Sequence, residues 1–150
     1  MNPCPCGWLS APADSVQRCR CTPDQVARYQ SRISGPLLDR IDLQVEVQAA
    51  PVQQMLASSD GDASVTIVRR VAHARERQLQ RQGVVNAELT PAQIDVHCPL
   101  DVPTTQFAQR AATRLGWSGR SLHRVINLAR TIADLEGLAT IAASHIGEAM

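Results

Sequence analysis

The chain has 150 residues, of which 44% are hydrophobic and 19% charged, with a net charge of +1. A folded chain of this length buries roughly 68–70% of the surface its unfolded form exposes, and this composition excludes both a disordered tract and a strongly cationic protein. All 15 basic residues are arginine, which excludes a Walker A loop within these residues, because G-x-x-x-x-G-K-[ST] needs a lysine ammonium on the nucleotide phosphates.

No apolar run approaches the roughly 18 residues of a membrane span, and no basic-then-apolar leader opens the chain. A cytoplasmic location and no membrane partner are therefore expected. Thiols stay reduced there, so five cysteines point to metal binding or burial rather than to disulfides.

The chain begins "MNPCPCG" and continues at a distance with "RCRC", so Cys4, Cys6, Cys19 and Cys21 form two C-x-C pairs twelve residues apart. Four thiolates are the ligand number of a tetrahedral structural zinc site, although the commoner C-x-x-C spacing turns both sulfurs toward one metal more easily. Reduced, metal-free thiols and a redox disulfide are the competing readings. From Trp8 to Thr22, Pro, Ala, Ser and Asp predict a loop. In "TPDQVARYQSRI", Thr22 as N-cap, Pro23 at the first helical position and Asp24 in the first turn predict a short helix ending before Gly35-Pro36.

"RIDLQVEV" alternates Ile41, Leu43, Val45 and Val47 with polar residues, the period of a strand with one buried face. The Ala-, Ser-, Gln- and Asp-rich stretch that follows reads as a linker, dividing the chain into residues 1–50, a linker over 51–62 and a helical part over 63–150. There Val65, Val68, Val71, Ala72 and Leu79 predict a helix from Ala63 to Arg81 with one apolar stripe, stopped by Gly83.

"TPAQIDVHC" offers a second Thr-Pro start. "PTTQFAQRAATRLG" and "SGRSLHRVINLARTIADLEG" predict two longer helices closed by glycine. In the second, Leu122, Val125, Ile126, Ala129, Ile132 and Ala133 make the apolar face, leaving His123, Arg124, Asn127 and Arg130 outside it. "TIAASHIGEAM" predicts a last helix with Ile141 and Ile146 inward. Cys98, in apolar "DVHCPL", is expected to pack as a small hydrophobe. The fold class is thus mostly α, a C-terminal helical bundle preceded by the strand-bearing first part.

Four separated segments, "MNPCPCG", "CRCTPDQVARYQSRISGPLLDRIDLQVEV", "AHARERQLQRQG" and "GRSLHRVINLARTIADL", occur in an order that resembles the C-terminal half of the magnesium-chelatase-like AAA+ ATPases, the ComM or YifB group. That resemblance implies a hexameric ring with ATP and magnesium between subunits, the end of an α/β core over 1–50 and a helical lid over 63–150. Walker A, Walker B and the strand leading to "MNP" are expected upstream, with Met1 an internal boundary of a longer reading frame. The 150 residues alone are then expected to be inactive as an ATPase.

By the same resemblance, Asn2 is similar to sensor 1, the amide that orients the attacking water. Arg40 in "SGPLLDRID" is similar to the arginine finger that reaches ATP on the neighbouring subunit; read without the family it caps a turn or pairs with Asp39 or Asp42. Arg120 in "SGRSLHR" is similar to sensor 2, with Arg124 one turn later as a rival. The four cysteines fall in an insertion after sensor 1, where metal would fold a loop too polar to fold itself.

The group's competence factor implies DNA branch migration, and its chelatase relatives imply magnesium insertion into a porphyrin. Arg69, Arg70, Arg75, Arg77 and Arg81 form a helix face able to touch DNA phosphates, or a plain solvated face. A stand-alone zinc-stapled interaction module without nucleotide is the reading from another class.

Overall fold

Local capping chemistry sets most helix boundaries in the computed structural model, which describes residues 2–9, 11, 18–38, 40–45, 47 and 61–150. The chain divides into two units, Met1–Asp60 and Gly61–Met150. In the first, α1 runs Pro23–Gln30. The Gln25 amide donates to the Thr22 hydroxyl at 3.3 Å and the Thr22 amide donates to the Gln25 side chain at 3.0 Å, so two start amides are satisfied reciprocally. The helix ends before Gly35-Pro36 as expected. That pair then opens a further short helix, α2, Gly35–Leu38, where proline's missing N–H leaves nothing unbonded.

The strand expected over Ile41–Val47 is not formed: the described residues there carry no ladder, and Val45 and Val47 are 77% and 85% exposed. Alternation marks a face that needs cover, whereas a strand also needs a neighbour for its hydrogen bonds. No other strand exists among the described residues. Asp39 and Glu46, residues 12–17 of the expected loop and residues 51–60 of the expected linker lie outside the described residues.

The second unit holds α3 (Ser64–Gln82), a 3-10 turn (Asn86–Glu88), α4 (Pro91–His97), α5 (Val102–Leu115), α6 (Gly119–Glu136) and α7 (Ala143–Glu148). Asp101 and Ser118 cap α5 and α6 by accepting from the amides of Thr104 at 2.8 Å and Ser121 at 3.1 Å. The chain leaves α6 through Gly137 at φ +82°, a left-handed conformation that a side chain would strain. A Cβ there would also lie 2.7 Å from the Arg77 guanidinium, which would have to move aside.

The long helix α6 is the hub, packing against α3, α4, α7 and the 3-10 turn. Its Ala129 meets Leu89, Ile94, Cys98, Ala108, Ile141 and Ile146 in the core, with Leu122, Val125 and Ile126 against them. Ile141 and Ile146 are inward as expected, although Ile141 precedes α7 and forms a parallel bridge with Leu100. Cys98 is packed as expected, and burial pushes its thiol up.

One expectation fails in this unit, and the apolar stripe of α3 finds no cover, for the same reason. Val65, Val68, Val71, Ala72 and Leu79 of α3 are exposed, and the residues α3 buries are Ala74 and Gln78. On α6, Arg130 does not lie outside the packed face but is 2% exposed. A helical stripe shows which residues share a side; it does not show which side has a neighbour.

Where α3 crosses α6, the contact is polar. Arg81 donates to both carboxylate oxygens of Asp134, at 2.7 and 2.9 Å, and also to Asn86. Asn86 donates to Asp134 at 3.0 Å and to Thr131 at 2.9 Å. Arg130 lies 3.0 Å from Asp134 and donates to the carbonyls of Ala139 at 2.7 Å and Leu138 at 2.6 Å. Burial alone would raise the Asp134 carboxyl, but hydrogen bonds from Arg81 and Asn86 and the two guanidinium charges outweigh it, holding the pKa below its ordinary 3.8.

Asp134→Ala would leave Arg130 buried without its counter-charge, and is expected to lower the stability of the intact chain by about 3–5 kcal/mol in urea unfolding. With a depressed folded pKa, the Asp134 contribution is complete above 3.8 and is lost as pH falls through the folded value. Asp134→Asn should flatten that acid limb; an unchanged limb would remove Asp134 as its source.

Candidate metal centre and arginine positions

The two C-x-C pairs bring Cys4, Cys6, Cys19 and Cys21 together with all four sulfurs within 4.8 Å of one another. Cys4 lies 3.3 Å from Cys6 and 3.7 Å from Cys19, and Cys6 lies 3.6 Å from Cys19. A tetrahedral zinc with Zn–S bonds of 2.3 Å requires sulfurs about 3.8 Å apart, so the donor set fits a closed four-sulfur site. A single intervening residue is thus enough here to bring both sulfurs of each pair into one cluster.

The first turn closes through the Gly7 amide, which donates to the Cys4 carbonyl at 3.0 Å with Gly7 at φ +82°. Gln30, the last residue of α1, donates to the Pro3 carbonyl at 3.1 Å and ties that turn to the helix. The amides of Trp8, first, and Arg20, together with the Cys4 thiol, hydrogen-bond the Cys6 sulfur and lower its pKa to about 6. At Cys21 the Cys6 backbone pulls downward, yet burial and the sulfurs of Cys6, Cys4 and Cys19 push the thiol up to about 12. A bound cation would favour ionisation of such crowded thiols together.

Asn2 is exposed and its amide lies against Gly7, 3.6 Å from where a Cβ would be. Gly7 and Gln30 were not singled out in the sequence; the signal for the first is a glycine directly after C-P-C. Arg40 is exposed, its amide donating to the Leu37 carbonyl at 3.0 Å in the turn that closes α2. In the second unit, Arg120 is exposed in the first turn of α6, whereas its rival Arg124 is half-buried. A cation there opposes the helix macrodipole and does nothing for the helix. An anion at that end would be attracted by both.

The arginines of α3 divide by task. Arg81 is committed to Asp134 and Asn86, Arg77 lies over Gly137 at the end of α6, and Arg70 is 3.6 Å from Asp62. Arg69 and Arg75 are exposed. The five therefore do not form one uniform phosphate-binding face. No helix among the described residues is long and apolar enough to cross a membrane.

The profile of magnesium chelatase, subunit ChlI, matches residues 1–55, and that of magnesium chelatase, subunit ChlI C-terminal, matches residues 61–150. The chain belongs to this magnesium chelatase ChlI family. It is 37% identical to the competence protein ComM of Haemophilus influenzae and 38% identical to the YifB protein of Salmonella typhimurium, in each case over all of this chain and 29% of the relative. It is also 35% identical to an uncharacterized Mycobacterium tuberculosis protein, over 91% of this chain and 27% of that one. The chain thus spans less than a third of the length of these curated relatives.

Protein purified without chelator is expected to carry about one zinc per chain, the stoichiometry of one four-thiolate site. Cys4→Ser or Cys19→Ser should lose the metal while the helical circular dichroism of residues 61–150 persists. Metal content far below one, with four reactive thiols in folded protein, would sink the assignment.

Proposed function

We propose that the chain is the C-terminal portion of a ring-forming AAA+ ATPase of the ComM type, a motor that migrates branched DNA, with zinc in its cysteine cluster. The observation carrying this reading is similarity to ComM over the whole chain. In this reading residues 1–50 end the nucleotide-binding core and bear the cysteine insertion, 51–62 link, and 63–150 form the lid.

Asn2 then serves as sensor 1, since an amide that both donates and accepts can hold a water in line. Arg40 is the finger acting in trans on the ATP of the next subunit; its planar, permanently charged guanidinium suits phosphoryl oxygens, and its exposure leaves it accessible. Arg120 is sensor 2, binding phosphate from the first turn of the lid helix α6, so that loss of the γ-phosphate releases the lid. ATP with magnesium supplies the transferred phosphoryl group, and a closed four-sulfur zinc site contributes folding rather than chemistry. With no lysine among the 150 residues, the phosphate-cradling loop must come from the remainder of the protein.

The chelatase description of the matching profiles supports a second reading, a motor that drives magnesium into a porphyrin. Stimulation of the full-length ATPase by branched DNA, and its indifference to porphyrin, separates the two. Arg40→Ala in the full-length ring should lower ATP turnover about 10³–10⁵-fold, the range for an arginine finger, while ATP still binds. Mixing that variant with a Walker A variant should restore part of the turnover, because the finger of one subunit serves the site of another; mixed rings without rescue would count against the assignment.

A further inference from the structure

The cysteine turns also decide which side chains stand beside the cluster. The amides of Trp8 and Arg20 hydrogen-bond the same sulfur, that of Cys6, so residues from the two separate turns are held on one ligand. Trp8 is 42% exposed and Leu9 is 44% exposed. An indole left this exposed is unusual for a surface that contacts only water.

Arginines follow in the sequence. Arg18 and Arg20 flank Cys19 and are exposed, and exposed Arg28 and Arg32 follow, Arg32 lying over the Tyr29 ring at 5.8 Å. Residues 1–38 set these four arginines against Asp14 and Asp24, with Asp14 outside the described residues. Four thiolates on a divalent ion carry a formal charge of −2, which Arg18 and Arg20 offset at once, so the surface around Trp8 is not anionic even with metal bound.

An exposed indole with guanidinium groups on either side of the adjacent cysteine is the pairing that holds unpaired bases, one π-face per base and cations on the backbone. A protein-binding core would be expected to be depleted of charge instead. A double helix fits less well, because its bases are already stacked, and the described helices of the unit, α1 and α2, have only eight and four residues.

We propose that the cysteine-pinned turns form a contact for single-stranded DNA, with Trp8 stacking on a base and Arg18 and Arg20 on the flanking phosphates. This rests on the DNA-acting reading above and adds the residues that would hold an unpaired strand.

The chain has two tryptophans, so Trp117→Phe leaves Trp8 as the reporter in the intact, zinc-loaded protein. Titration with oligo(dT) at low salt should quench that fluorescence saturably, and binding should weaken as salt rises. Trp8→Ala, read by anisotropy of labelled oligo(dT), should lose about 5- to 150-fold in affinity, the range for one stacked base, with Trp8→Phe intermediate. Arg20→Ala should reduce the log–log salt slope by about 0.7, the value for one phosphate of a single strand. Zinc content and helical circular dichroism equal to the parent's certify that each variant is folded.

Undiminished binding by folded Trp8→Ala would overturn the contact and leave the DNA-acting motor standing, with its strand held elsewhere. Trp8 emission that responds to protein concentration but not to oligo(dT) would overturn it in favour of self-association. Absence of any oligo(dT) binding would overturn it too, while branched-DNA stimulation of the full-length ATPase tests the wider reading separately.

Discussion

A single buried carboxylate organises the helical unit. Asp134 on α6 receives Arg81 from α3, Asn86 from the 3-10 turn and Arg130 from its own helix one turn earlier. Arg130 in turn binds the carbonyls of Leu138 and Ala139, which fixes the path from α6 toward α7. Buried ion pairs are a poor source of net stability, because desolvation offsets most of their attraction. What this one does is select an arrangement: any other crossing of α3 on α6 would leave a charge in the interior without a partner.

That constraint explains the otherwise odd distribution of apolar surface. The α3 helix docks through Ala74, Gln78 and Arg81, and its larger residues Val65, Val68 and Val71 stay in solvent. Small side chains at the crossing let the polar network close, and a valine-lined crossing would have held the guanidinium away from Asp134. The apolar core proper, around Ala129 and Ile146, lies on the other side of α6. One helix thus serves a dry face and a charged face at once.

The first unit is held by different means. It has no fully buried apolar side chain among its described residues except Cys4, so its order comes from the Thr22 capping box, the Gln30 bond to Pro3 and the gathering of four sulfurs. A small segment without a core of its own gains most from a metal that joins its donors. Asn2 touches the same turn as the cysteines, which makes a metal-pinned insertion a means of orienting a residue that by itself has little to hold it.

Short-range chemistry was legible in the residues. Thr22-Pro23, Thr90-Pro91, Gly83, Gly116 and Gly137 fixed helix starts and stops, because capping depends on groups within a few residues of one another. Two C-x-C pairs implied a four-thiolate site for the same reason, since metal valence needs only the right donors within reach of two turns. The expected strand over Ile41–Val47 and the outward Arg130 did not hold, and each depended on an element far away in the chain. A period tells a segment which of its sides is apolar; only the tertiary structure supplies, or withholds, the neighbour that makes that side an inside.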